Sequence, residues 1–157
     1  MFVCDYCGGE FVPAAGEDGV QVLVDTTFKC PVCDGMLSEG KLEFHPLLYC
    51  THCQGMLIAI DEFIPLIGAL RSYRDRPAIA IPQANASSDR LPRLCPRCSQ
   101  PMDNHVYGGA GNVIIDTCEK CAVNWLDKGE LQRIVASPDH TFYESMFSPY
   151  EDPRERP

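Results

Sequence analysis

Apolar residues recur at helical spacing in two stretches of the chain, and each stretch follows an acidic residue. The apolar stripes are Leu66, Leu70 and Tyr73 in the first stretch and Leu131, Ile134 and Val135 in the second. Asp61 and Asp127 stand where an N-cap is expected, and Glu130 completes a D-x-x-E capping box with Asp127. This spacing predicts two short helices, and Pro65 is acceptable in the first turn of the earlier one.

Other stretches alternate between apolar and polar residues and predict strands. The segments HVYGG (105–109) and NVIID (112–116) flank a Gly-rich turn, which is a hairpin signal. KLEFH (41–45) and PLLY (46–49) suggest a second hairpin less clearly, and GVQVLVDTTF (19–28) predicts one more strand. Residues 74–92 are rich in Pro, Ala, Ser and Asn and have no periodicity, which predicts a flexible linker.

The 157-residue chain contains ten cysteines, and all of them fall in C-x-x-C pairs. The pairs are Cys4/Cys7, Cys30/Cys33, Cys50/Cys53, Cys95/Cys98 and Cys118/Cys121. Repeated pairs of this kind favour tetrahedral thiolate coordination of zinc over disulfides, because each short turn directs two sulfurs at one ion. Neither a signal peptide nor a membrane-spanning run is evident, which predicts a cytoplasmic protein whose thiols stay reduced.

An internal repeat organises these pairs into two modules. KCPVCDGML (29–37) resembles LCPRCSQPM (94–102), and YCTHCQGMLIAIDEF (49–63) aligns without gaps with TCEKCAVNWLDKGEL (117–131). The modules are residues 28–73 and 93–136, between an N-terminal segment (1–27), the linker and a C-terminal tail (137–157). The sequence of each module predicts a knuckle (a tight turn that carries a C-x-x-C pair), a hairpin, a second knuckle and a helix. A module of this size is too small to fold without its metal.

The repeat predicts one zinc site in each module. The ligand sets are Cys30, Cys33, Cys50 and Cys53 for the first site, and Cys95, Cys98, Cys118 and Cys121 for the second. A competing scheme joins Cys4 and Cys7 to the 30/33 pair, because that spacing also suits a ribbon. Under the repeat-based scheme Cys4 and Cys7 are left with three roles: a third site completed by a histidine, a zinc shared with a second chain in a homodimer, or a redox dithiol.

The remaining chemistry-bearing residues have plain structural interpretations. His45, His52, His105 and His140 are interpreted as solvent or core residues rather than ligands. Trp125 is interpreted as a core residue that packs beside the metal and anchors the helix start. The arginines at 71, 74, 76, 90 and 93 are interpreted as a solvated linker, with contact to an anionic partner as the alternative. The aromatic residues of the tail either dock as a short helix on the second module or stay disordered.

The motif CPRC, CEKC and WLDKGEL in residues 95–131 resembles the TFIIB-type zinc ribbon of small bacterial proteins. CPVC, CTHCQG and DEF in residues 30–63 are similar to a diverged second copy. The resemblance implies two zinc ions per chain, each held by four cysteines of one ribbon; iron is the competing metal. The chain departs from the family at Val123, where glycine is usual; the first copy keeps Gly55 there but has Leu57 in place of the tryptophan.

These observations predict a small, metal-stabilised α+β fold of tandem zinc ribbons, each followed by a helix. The formal net charge is −9, and residues 1–64 carry ten acids against two lysines, so a protein partner is favoured over nucleic acid or a membrane. Four-cysteine sites leave no open position for a substrate, which predicts that the protein is not an enzyme. The predicted function is an interaction module linked to transcription. The alternative is a redox or zinc-responsive sensor acting through Cys4 and Cys7.

Overall fold

The fold is that of a computed structural model, which describes residues 2–3, 10–11, 19–73, 92–107 and 113–137. The predicted linker (except Pro92), the tail beyond Ser137, Cys4, Cys7 and the Gly-rich turn at 108–112 lie outside the described residues.

The described residues form mainly antiparallel strands with two helices. The strands are β1 (Phe2–Val3), β2 (Glu10–Phe11), β3 (Gln21–Lys29), β4 (Met36–Leu42), β5 (His45–Tyr49), β6 (Met56–Ala59), β7 (Asp103–Val106), β8 (Ile114–Cys118) and β9 (Val123–Leu126). The helices are α1 (Ile60–Ser72) and α2 (Glu130–Ala136). Strands β1 and β2 pair with each other, and the other seven strands form one sheet in the order β3-β4-β5-β6-β9-β8-β7.

The two modules join at the centre of this sheet, where β6 pairs antiparallel with β9. Leu57 lies opposite Trp125, and these two residues occupy equivalent positions in the repeat. Met56 pairs with Leu126, and Ile58 pairs with Asn124. The repeat alignment makes Met56 equivalent to Asn124 and Ile58 equivalent to Leu126, so each of these two pairs is the counterpart of the other. The contact is therefore isologous, with an approximate two-fold axis between β6 and β9. The sequence predicts neither strand in this role.

Successive side chains of the central strands point to opposite faces of the sheet, so the core consists of two layers, one on each face. Met56, Ile58 and Leu126 belong to the layer that contains the buried residues of α1 and α2. Leu57 and Trp125 belong to the other layer, which also contains the buried cysteines of both modules. The helices thus cover one face of the sheet and the cysteine clusters the other.

The predicted helices are present, but neither predicted N-cap is found. Helix α1 begins after Ala59 without a side-chain cap, because Asp61 lies inside its first turn. Helix α2 begins after Gly129, whose φ of 85° suits glycine. Half of the capping box forms, since the backbone N–H of Asp127 donates to the Glu130 carboxylate at 2.8 Å. The Asp127 carboxylate instead binds Trp125 and Arg93.

Candidate metal centres

The same backbone turn builds all four described cysteine pairs. The residue after the second cysteine has a left-handed backbone in every case: Asp34 (φ 57°), Gln54 (φ 60°), Ser99 (φ 58°) and Ala122 (φ 53°). A backbone hydrogen bond from the first cysteine closes three of these turns: Cys30 N to Gly35 O at 2.7 Å, Cys50 N to Gly55 O at 2.9 Å and Cys95 N to Gln100 O at 2.8 Å. The fourth turn is closed by the pairing of Cys118 with Val123 between β8 and β9. Each turn directs both of its sulfurs to one side.

The first centre gathers Cys30, Cys33, Cys50 and Cys53. The first pair follows β3, and the second pair lies between β5 and β6. Their Sγ atoms are 3.5 Å apart between Cys30 and Cys53, and 3.4 Å apart between Cys33 and Cys50. Cys30 and Cys50 are buried, whereas Cys33 is exposed.

The second centre gathers Cys95, Cys98, Cys118 and Cys121. The Sγ atoms of Cys98 and Cys118 are 3.6 Å apart. Cys95 and Cys118 are buried, as are the equivalent residues of the first centre. All four sulfurs of each centre lie within 4.8 Å of one another.

These separations fit a tetrahedral zinc ion. A Zn–S bond of about 2.3 Å places the sulfurs of a tetrahedron about 3.8 Å apart. A disulfide would require about 2.05 Å, so the eight described cysteines are thiols that face a common point. Each cluster fits one zinc ion, which gives two ions in the part of the chain that the structure describes.

The structure groups the cysteine pairs as the repeat predicts, and not as the competing scheme does. Cys30 and Cys33 lie with the 50/53 pair. Cys4 and Cys7 lie outside the described residues, and so does His140. None of the described histidines joins either cluster. His45 Nδ1 lies 2.6 Å from the Glu62 carboxylate, and His105 Nε2 lies 2.7 Å from the Thr117 hydroxyl.

Burial and backbone N–H groups pull the thiol pKa values in opposite directions. Burial raises the pKa of Cys30, Cys53 and Cys95, and it raises the pKa of Cys121 to about 12 with the help of the neighbouring thiols. A hydrogen bond from the backbone N–H of Gly35 lowers the pKa of Cys33. A hydrogen bond from the backbone N–H of Gln100 lowers the pKa of Cys98 to about 7. Four thiolates therefore need the charge of a bound cation, which zinc supplies.

The comparison with known families addresses the second centre. Residues 94–137 match the family model of the transcription factor zinc-finger, the TFIIB-type zinc ribbon. By this match the segment is similar to TFIIB-type zinc ribbons. No curated protein and no solved structure matches the chain. The match spans the second ribbon and its four cysteines, and the cluster at 30–53 is consistent with a second ribbon in tandem.

The Trp-Leu-Asp sequence of the second ribbon forms a polar link behind the zinc centre. Trp125 Nε1 donates to Asp127 Oδ1 at 3.0 Å, and Arg93 Nη2 donates to Asp127 Oδ2 at 2.6 Å. Arg93 Nε also lies 3.4 Å from Asp116, whose side chain is 1% exposed. Arg93, whose side chain is 14% exposed, is thus an ion-pair partner of the buried Asp116, and its interpretation as a solvated linker residue is wrong.

A second arginine from that interpretation also has a structural role. Arg71 Nη2, in the last turn of α1, donates to Ile134 O at 2.9 Å and to Ser137 Oγ at 3.0 Å. It therefore binds the C-terminal end of α2, where a positive charge is favourable. The other three arginines of that interpretation lie outside the described residues.

Sequence reasoning missed the close contact between Gly55 of the first ribbon and Trp125 of the second. A Cβ atom on Gly55 would lie 2.2 Å from Trp125 Cζ2. The available signal was the departure from the family, since the first ribbon keeps glycine where the second has Val123. Among the described residues, no helix has the length and apolar character needed to cross a membrane.

Proposed function

We propose that this protein is a non-catalytic interaction module of the cytoplasm, held together by two zinc ions. The observation that supports this proposal is that each zinc centre offers four cysteine sulfurs. A catalytic zinc site keeps a coordination position for water or substrate, typically beside histidine or carboxylate ligands. Four thiolates fill the tetrahedron and leave zinc with a structural role.

Each ribbon is proposed to include the helix that follows it. In the first ribbon β6 runs directly into α1, and in the second a three-residue turn joins β9 to α2. Phe63 and Leu66 of α1 and Leu131 and Ile134 of α2 are buried in one layer. This packing supports a ribbon-plus-helix unit that occurs twice.

A groove between the first knuckles of the two ribbons is the surface that best suits a partner. It has a volume of about 710 Å³. Pro31 and Val32 line it from the first ribbon, and Leu94 and Pro96 line it from the second. Val32 and Leu94 are 43% and 52% exposed, so apolar surface is available there. The chain's net charge of −9 favours a protein over nucleic acid as the partner.

The family description points to the transcription machinery as the first partner to test. We expect purified RNA polymerase of the same organism to bind the zinc-loaded protein in biolayer interferometry. The double variant Val32→Glu with Leu94→Glu should weaken that binding at least about tenfold, because it places two charges on the apolar walls of the groove. Phe44→Glu is the matched control, because Phe44 is 89% exposed and does not line the groove.

Unchanged binding by the groove variant would show that this surface is the wrong one. Absence of binding to polymerase would remove the transcription link. Salt-sensitive retention on heparin, lost when the arginines at 74, 76 and 90 become alanine, would favour nucleic acid instead. Native mass spectrometry of the same samples reports whether the protein forms a homodimer.

A thiol-redox or zinc-responsive sensor is the second candidate. The observation that favours it is that eight cysteines complete both clusters, which leaves Cys4 and Cys7 outside these two centres. Under mild peroxide a sensor oxidises these two thiols first, which mass mapping of alkylated peptides would detect. Equal oxidation of all ten cysteines would contradict this function.

A further inference from the structure

The tryptophan of the second ribbon contributes to the wall of the first metal centre. Gly55 is two residues after the ligand Cys53, and a Cβ atom there would meet Trp125 at Cζ2, Cη2 and Cε2 within 3.1 Å. The six-membered ring of the indole thus packs directly on the backbone of the first ribbon's second knuckle. Trp125 is fully buried in the apolar layer that contains cysteines from both centres.

The other end of the same side chain is fixed to the second centre. The indole N–H donates to Asp127, and Asp127 is held by Arg93, which precedes the ligand Cys95 by two residues. A continuous line of contacts therefore runs from the knuckle of one centre to the knuckle of the other.

The pairing of β6 with β9 adds a second connection. Strand β6 starts three residues after Cys53, and β9 starts two residues after Cys121. The backbone N–H of Ile60 also donates to Ala122 O at 2.9 Å, directly after that last ligand. Displacing either knuckle therefore moves the strand on which the other ribbon depends.

On the helix face the ribbons are also joined. Phe63 of α1 and Tyr107 of the second ribbon form an edge-to-face pair, with ring centroids 5.5 Å apart. The Arg71 hydrogen bonds connect the two helices on the same side. Neither ribbon has a complete core without the other.

From these contacts we infer that the two zinc centres form one cooperative unit, coupled by Trp125. This inference rests on the zinc-binding role of the clusters, and it adds that each ion raises the affinity for the other. Binding at the first centre orders the knuckle that seats the indole, and the seated indole orders the β9 strand beside Cys118 and Cys121. The protein passes between a metal-free and a doubly loaded state with little singly loaded intermediate, so it responds steeply to zinc.

Native mass spectrometry of the metal-free full chain, titrated with zinc alone, tests this coupling. At half saturation, independent equal sites leave about half of the molecules with one zinc, and unequal sites leave more. A coupling of about a hundredfold leaves about one-tenth with one zinc. A singly loaded fraction near one-tenth supports the inference, and a fraction of one-half or more overturns it. Failure to bind two zinc ions would overturn the zinc-binding role itself.

Two variants assign the coupling to the indole. Trp125→Ala keeps all eight ligands, and we expect it to raise the singly loaded fraction to at least one-half. Alkylation mapping should then find reactive thiols at the first centre, although that ribbon is unchanged. Gly55→Ala should have the same effect through its clash with the ring. Adding Trp125→Ala to Gly55→Ala should change the singly loaded fraction no further, because both substitutions break the same contact. Gly68→Ala is the control, because a Cβ atom there has nothing within 4 Å. Unchanged coupling in Trp125→Ala would overturn the role of the tryptophan.

Discussion

At the scale of single residues, the left-handed positions after the cysteine pairs are the least expected feature. Asp34, Gln54, Ser99 and Ala122 all take this conformation, although none of them is glycine. For an L-residue with a side chain it costs about 1–2 kcal/mol. The knuckle tolerates this cost because the turn presents its backbone N–H groups to the cysteine sulfurs and both sulfurs to the metal.

Ala122→Gly should therefore stabilise the zinc-loaded protein. Removal of the Cβ relieves the left-handed strain, while the greater freedom of glycine in the unfolded chain offsets part of the gain. We expect the free energy of unfolding by guanidinium to rise by about 0.5–1 kcal/mol. Ala69→Gly is the control, and its effect should have the opposite sign. Ala69 lies inside α1, where glycine should lower the free energy of unfolding by about 1 kcal/mol. A destabilised Ala122→Gly protein would contradict this account.

The thiol pKa values predict how zinc affinity depends on pH. At about pH 8 the Cys98 thiol, with a pKa of about 7, is largely ionised, whereas burial keeps Cys95 and Cys121 protonated. Zinc must displace at least these two protons from the second centre. Its apparent dissociation constant should therefore fall at least about a hundredfold as the pH rises by one unit. Competition with a chelator of known affinity, between about pH 7.5 and 8.5, measures this slope. A slope of tenfold or less would contradict the predicted protonation.

At the scale of elements, Arg93 ties the segment before β7 to β8 and to the start of α2. It pairs with the buried Asp116 and with Asp127. Arg93→Met leaves the Asp116 carboxylate buried beside an apolar side chain, and we expect a loss of about 3 kcal/mol in stability. Arg97→Met, at an exposed neighbouring site, should change stability by less than about 0.5 kcal/mol. Equal effects of the two substitutions in thermal unfolding would refute this role for Arg93.

The elements that sequence reasoning found are those specified by local signals. The cysteine pairs mark the knuckles, and the hairpin strands follow from alternation and from the turn between them. Strands β6 and β9 were missed because they are short and buried on both faces, as with Met56, Leu57 and Ile58. Such a run suits a strand in the middle of a sheet, but without its partner it also suits the start of a helix.

At the scale of the whole molecule, the repeat predicts two zinc centres but not their arrangement. Equivalent residues, Leu57 and Trp125, meet only where the two ribbons pair, and the distance between them along the chain gives no local signal. The capping residues were misassigned for a similar reason. The Asp127 carboxylate is engaged by Trp125 and Arg93, so a tertiary contact overrides the local preference.

A charge at the centre of the shared sheet should therefore weaken both ribbons together. Leu57 is 2% exposed and lies opposite Trp125, so Leu57→Asp buries an unpaired carboxylate at the approximate two-fold axis. We expect a loss of at least about 3 kcal/mol. Hydrogen exchange followed by mass spectrometry should show faster exchange in β4 and β5 and also in β8, which belongs to the other ribbon. Val106→Asp, on the edge strand β7 and 51% exposed, should leave the exchange of β4 and β5 unchanged. If Leu57→Asp accelerates exchange in the first ribbon alone, the ribbons fold independently and the shared sheet does not couple them.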